Sequence, residues 1–326
     1  MMIKTILLLA LAAMLLPAQP KRVRVHSSAA DLLSAPVVGY STFPAARETR
    51  VIFGLPGSTH YSDAISWPEG VLSVRPATGH QWLLALRADA PGAVWIPESG
   101  VERVLPLLSG EPNLVAFSPS GSAVALYWAA SRRLVVYGGL PGEPDLIAES
   151  ATADAWTALA VSDSGRLTVG LTEAGELRTA SGLVREARPV AAFGFTGPGD
   201  RLVVMDTGGA AVELLEGASS RRFVALPAAV SAQARLIPGA ADWFLIADSS
   251  LLHRVETAAN RVRTLPLPDV PIEGLQSLRT RGAVLLEAPE GIAPRIVLSH
   301  AAGEDLFYLP TLAAPAPAPV VEEVQQ

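Results

Sequence analysis

Leu114-Val115-Ala116-Phe117-Ser118-Pro119-Ser120-Gly121 is followed by the apolar run Ala123 to Trp128, then by Leu134-Val135-Val136-Tyr137 and Gly138-Gly139. This passage decides the fold. Its apolar runs have the length of strands rather than helices. Pro119, Gly121 and Gly138-Gly139 fall where a helix interior would tolerate neither residue type. Ala123 to Trp128 is apolar on both alternating faces. A strand with one solvated face would alternate polar and apolar, so this one predicts a sheet packed between two neighbouring sheets.

Outward from this unit the same grammar returns. Ala160 to Gly165 precedes Leu167 to Leu171, Phe195 to Asp200 precedes Leu202 to Met205, Leu236 to Gly239 precedes Trp243 to Ala247, and Val74 to Gly79 precedes Trp82 to Leu86. Weaker copies are Phe43-Pro44 before Val51-Ile52-Phe53, and Arg279-Thr280-Arg281-Gly282 before Val284-Leu285-Leu286. Anchors at 44, 76, 119, 163, 198, 238 and 280 are 32 to 44 residues apart, close to the ~40–45 residues of a four-stranded propeller blade. The expectation is an all-β β-propeller of seven four-stranded blades, with six blades and an N-terminal hairpin as the alternative. The first unit is short and should lack a strand. Leu306-Phe307-Tyr308-Leu309 should end the seventh blade. Leu251 to Leu265 reads as strand, turn, strand, with Asn260 in the left-handed conformation that Asn tolerates. An apolar helix stripe is the competing reading there, and also over Asp145 to Ser164.

The ends read differently. Residues 1–18 have one cation, Lys4, a short apolar run and small Ala18, as in a secretory signal peptide. The apolar run is too short to cross a membrane. Residues 19–35 form an N-terminal arm in which Arg22-Val23-Arg24-Val25-His26 reads as an edge strand closing a blade. The propeller spans 36–310. The Ala-Pro tail, 311–326, favours extended polyproline conformations. The reading is therefore an exported chain, periplasmic or extracellular, without a transmembrane segment once processed.

Composition removes several function classes. The 326 residues carry a net charge of -6, with 17% charged, 50% hydrophobic and no cysteine. Disorder is excluded, as are disulfides and thiolate chemistry. An acidic chain does not suit nucleic acid.

With the repeat in hand, Phe117-Ser118-Pro119-Ser120-Gly121 and its apolar sequel resemble the strand–turn–strand signature of WD40-like exported bacterial propellers. His253-Arg254-Val255-Glu256 through Arg261-Val262 is similar to their third-strand, turn, fourth-strand hairpin. The resemblance covers roughly 36–310 and implies a binding or scaffolding architecture more often than an enzyme. No Trp-Asp dipeptide is present.

Catalytic motifs are absent. The sequence has no phosphate-binding loop with its lysine, no Gly-x-Ser-x-Gly, no His-Glu-x-x-His and no Gly-x-Gly-x-x-Gly. His26, His60, His80, His253 and His300 are scattered, and a metal needs at least three converging ligands. Asp163, Asp200, Asp206 and Asp248 sit in turns, where Asp caps its own backbone. Trp82, Trp128 and Trp243 lie in second strands as inter-blade packing. Trp67 and Trp95 flank Pro-containing loops and are the candidate partner-binding residues. Arg132-Arg133 and Arg221-Arg222 mark outer hairpins, and an acidic-partner patch there would be local. The reading is a monomeric binding propeller, without cofactor, metal or catalytic residue, that presents loops to a protein or glycan. The alternative is a hydrolase or lactonase with a divalent ion at the channel mouth.

Overall fold

The computed structural model describes residues 36–309, less 56–57, 89–91, 98, 107–109, 198–199, 217–219, 240–242, 249, 268–273, 281, 288–293 and 301–302. The signal segment, the Arg22–His26 arm and the Ala-Pro tail lie outside the described residues. The chain is an all-β propeller of seven antiparallel sheets, each counting four strands. The blades occupy 37–66, 71–104, 114–151, 156–185, 190–225, 235–266 and 274–308. The only helical element among the described residues is a 3-10 turn, Thr78–His80. No described helix is long and apolar enough to cross a membrane.

In blades 2 to 7 the strands pair in sequence order, first to fourth, and most first strands pack on the next blade's first strand. The second strands are the apolar runs that decided the fold. Val124–Trp128 is buried at all five positions and pairs on one edge with Leu114–Phe117 and on the other with Arg133–Gly138. The core is split into clusters that each join two blades. Trp82, Leu84 and Leu86 pack with Val124 and Leu126; Tyr127 and Val136 pack with Trp156 and Val161; Val204 and Leu215 pack with Val169 and Leu177. Each such side chain withdrawn from water contributes about 1.5–3 kcal/mol. No single blade shields its own two faces, so the sheets are stable only as neighbours.

The two ambiguous stretches are strands. Leu251–Glu256 and Arg261–Pro266 form the last hairpin of blade 6, with Asn260 at φ 49. Asp145–Ala151 and Trp156–Val161 end one blade and start the next. Gly121 and Gly165, at φ 74 and 68, make the same left-handed corner after their Ser-x-Ser triplets. Gly303–Tyr308 closes blade 7, as read from the sequence.

Blade 1 departs from the plan. Its last two strands, Ser58–Tyr61 and Ile65–Ser66, both pair with Glu48–Leu55, on the edge not taken by Val37–Phe43. They share one position, so three positions are filled. Direction identifies the missing one. The turn after Val37–Phe43 lies by the start of blade 2, where Arg47 Nη2 donates to Val71 O at 2.7 Å and Trp67 N donates to Arg47 O at 2.9 Å. The beginning of Val37–Phe43 lies by the first turns of blades 7 and 2. There Arg279 N donates to Val38 O at 2.9 Å and Tyr40 N donates to His80 Nδ1 at 2.8 Å. The strand therefore runs opposite to the first strands of its neighbours, as a second strand does. Its burial agrees: Val37–Phe43 is buried at its centre, and Ser58–Tyr61 is half exposed like an outer strand. Among the described residues, blade 1 has no first strand. The turn at Pro44 is thus not a copy of the other six anchors, which corrects the sequence register while the count of seven stands.

Candidate functional site

An open inner edge on blade 1 would leave backbone groups unpaired. Two residues from other blades occupy it. His80, buried and held at φ 48, accepts from Tyr40 N and stacks on the Tyr40 ring. Arg279 gives Val38 its backbone N–H. Its side chain donates to His80 O at 2.6 Å and Tyr40 Oη at 2.8 Å, and lies over the Tyr40 ring. Burial, with help from the nearby Arg279 charge, pushes His80 down to about 3, against the neighbouring Gln276. The imidazole is neutral and its Nδ1 is an acceptor, as Tyr40 N requires. Val38 and Ile52 complete this seam by packing with Leu278, Leu285 and Ile296. Among the described residues, no strand is exchanged between blades 1 and 7.

The acidic turns also join blades, which corrects the reading that they cap themselves. Asp163 accepts from Ser120 N and Oγ of the preceding blade at 2.7 Å. Asp200 accepts from Ser164. Asp248 accepts from Ser231 N at 2.8 Å, and Asp206 binds Arg185. Serines cap the turns instead: Ser118 Oγ accepts from Ala123 N, and Ser162 Oγ from Leu167 N.

The channel side offers little chemistry. The first strands of blades 2 to 7, such as Val71–Pro76, Val190–Thr196 and Gly274–Ser277, contain no Asp, Glu or His. Among the described residues no three His, Asp or Glu side chains are set to hold a metal. A small pocket of about 110 Å³ lies by blade 4, beside Trp156, Thr179, Ser181 and the Asp154–Arg178 ion pair. The Trp156 ring stacks on Tyr127 and covers Gly170, so it has no face for a sugar.

All six tryptophans are buried. Trp67 is 7% exposed, with its indole N–H on Thr49 Oγ1 at 3.0 Å. Trp95, also 7% exposed, sits in Ala93–Ile96 across from Leu83 and Glu102. The structure places both within sheet packing.

Five charged side chains meet between the outer parts of blades 4 and 5. Arg185, at the end of the outer strand Gly182–Arg185, has a side chain only 3% exposed. Its Nη2 donates to both oxygens of Asp206 at 2.6 Å, and its Nε lies 2.9 Å from Glu213 Oε2. Glu213, 6% exposed, comes from the third strand of blade 5. Two further arginines approach from outside. Arg188 Nη1 is 3.9 Å from Asp206 and Arg221 Nη1 is 3.5 Å from Glu213, and these side chains are 60% and 51% exposed. Phe223, on the outer strand Ser220–Ala225 with Arg221, is 59% exposed, and Leu183 of blade 4 is 51% exposed. Of these residues only Arg221 and Asp206 drew notice in the sequence. Arg185, Arg188 and Glu213 belong to no motif, and the packing of blade 4 on blade 5 brings them together.

No protein-family model and no curated protein matches this chain. Solved propellers do. A functionally unknown protein from Desulfotomaculum acetoxidans DSM 771 superposes with a TM-score of 0.51 at 12% identity, over 84% of this chain and 95% of that one. The WD40 repeats of RRP9 give 0.51 at 12% identity, over 76% and 83%. At these identities the likeness concerns the fold.

Proposed function

We propose that this chain is an exported binding propeller, and that a protein partner docks on its rim between blades 4 and 5. The observation that carries the reading is the pairing of exposed Phe223 and Leu183 with two half-exposed arginines over a buried ion network. Exposed aromatic and arginine side chains side by side are the usual anchors of protein interfaces. A protein suits this rim better than a glycan, because every tryptophan face is inside. Binding suits it better than catalysis, because the chemistry-bearing residues lie on the perimeter rather than in the channel.

A photo-crosslinking amino acid at Phe223 should give discrete adducts in the envelope fraction of the native cell, and one at exposed Leu55, on blade 1, should give none. Equal labelling at both sites, or none at Phe223, would overturn the docking face. Export rests on residues 1–18: the mature protein should begin at Gln19, and a full-length chain inside the cell would refute it.

A further inference from the structure

We infer that the segment received at this rim is acidic: an extended stretch of a partner protein whose carboxylates are taken by Arg188 and Arg221. This rests on the docking reading above and adds the chemistry of what docks.

The argument starts from the charges. Five ionised side chains meet here. Arg185, Arg188 and Arg221 are positive, Asp206 and Glu213 negative, so one positive charge is in excess. The buried arginine holds both carboxylates at hydrogen-bond distance and offsets one of their two charges. The outer two arginines stand off at 3.9 and 3.5 Å, beyond the range of a charge-assisted hydrogen bond. Elsewhere on the sheets, Arg50, Arg87, Arg133, Arg178 and Arg201 each close on a glutamate within 2.8 Å. Arg188 and Arg221 thus keep their planar forks of N–H donors turned to solvent, suited to bidentate capture of a carboxylate. The network is unsaturated at its centre as well: Arg185 Nη1 is buried and makes no hydrogen bond. A further carboxylate would offset the excess charge.

The surroundings specify a polypeptide rather than a free ion. Arg221 and Phe223 alternate on the same side of Ser220–Ala225, an outer strand that, among the described residues, pairs on one edge only, with Ala211–Glu216. An extended segment can add to such an edge through its backbone while alternate side chains meet the strand's own. An acidic residue opposite Arg221 and an apolar one against Phe223 fit that alternation.

The test uses the purified mature protein and fluorescein-labelled octapeptides of alternating Glu-Leu, Gln-Leu and Lys-Leu, read by fluorescence anisotropy. The Glu peptide should bind at least tenfold more tightly than the other two and weaken as salt screens the pairs. Arg188→Ala with Arg221→Ala should lose at least tenfold, while Arg166→Ala, at an exposed arginine elsewhere on blade 4, should bind as wild type. Unchanged melting of each variant would show that folding is intact. Equal affinity for Glu and Gln peptides, or a double arginine variant that binds normally, would overturn the acidic segment. Crosslinking at Phe223 separates the two ideas. A crosslinked partner with no preference for Glu keeps the docking face and removes the acidic chemistry. Arginine-dependent Glu binding without a crosslinked partner removes the docking face.

Discussion

Two seams of this ring are each closed by an arginine, and they differ in what the arginine leaves over. At the seam of blades 7, 1 and 2, Arg279 reaches the His80 carbonyl, the Tyr40 hydroxyl and the Tyr40 ring, while His80 takes the Tyr40 backbone N–H. Every group named there has a partner, and the seam is buried. At the seam of blades 4 and 5, Arg185 faces two carboxylates, yet its Nη1 makes no hydrogen bond and two more arginines stand outside with donors to spare. A saturated seam is architecture. An unsaturated one, beside an exposed phenylalanine, can still take a ligand. Burial alone would not separate them, since an arginine closes both.

The largest effect expected at either seam comes from uncovering a buried charge. Glu213→Gln leaves Arg185 desolvated with half its compensation and should cost about 3 kcal/mol in urea unfolding. Replacing both, Arg185→Met with Glu213→Leu, should recover most of that loss. A cost under about 1 kcal/mol for the single change would show that the ion network does not hold the seam.

Next comes the seam of blades 7, 1 and 2. Arg279→Ala removes the hydrogen bonds to His80 O, Tyr40 Oη and Gln81 O and a cation–π contact, a loss of about 2 kcal/mol. Gly39→Ala tests the same place by crowding. A Cβ there would lie 2.5 Å from Leu278 Cδ2 and 2.8 Å from His80 Nδ1, and such overpacking costs about 1–3 kcal/mol. If both variants melt as wild type, the ring is closed by its apolar cluster alone.

A pH titration separates the seams further. His80 titrates at about 3 in the folded chain and at its ordinary 6.5 when unfolded. Between those values the unfolded chain binds a proton that the folded one refuses. The stability is therefore complete above pH 6.5 and declines as pH falls toward 3. At pH 5 the loss from this residue is about 2 kcal/mol. His80→Asn keeps an acceptor for Tyr40 N and has nothing to titrate, so its unfolding free energy should fall less between pH 7 and 5. Parallel slopes for variant and wild type would refute the assignment.

The smallest effect on stability should come from Arg188→Ala with Arg221→Ala, under about 0.5 kcal/mol, because half-exposed pairs contribute little. A large destabilisation would make these two arginines architecture as well, and would erase the contrast between the seams.

Most of the fold could be read in the sequence, because it depends on features carried by neighbouring residues. Runs such as Ala123 to Trp128, bounded by Ser-x-Ser-Gly corners, set strand, turn and burial together. Asn260 could be placed in its turn for the same reason. Blade 1 escaped because Phe43-Pro44 looks like the other anchors locally, and only its neighbours reveal which way Val37–Phe43 runs. The acidic turns misled similarly: Asp163 has a nearby backbone to cap, but Ser120 on the preceding blade takes it. The six tryptophans were legible as apolar bulk, whereas the depth of Trp67 and Trp95 depends on what packs over them.

The amino-acid sequence by itself determined seven sheets of short strands that must bury both faces, since that follows from local polarity and turn chemistry repeated along the chain. Only the tertiary structure decided which way Val37–Phe43 runs in blade 1, how His80 and Arg279 meet it, and that Arg185, Asp206, Glu213 and two exposed arginines come together. Those contacts join residues up to 239 positions apart, and no local pattern encodes them. They exist because closing a ring brings the first blade against the last, and because packing one blade on the next carries distant side chains to the same seam.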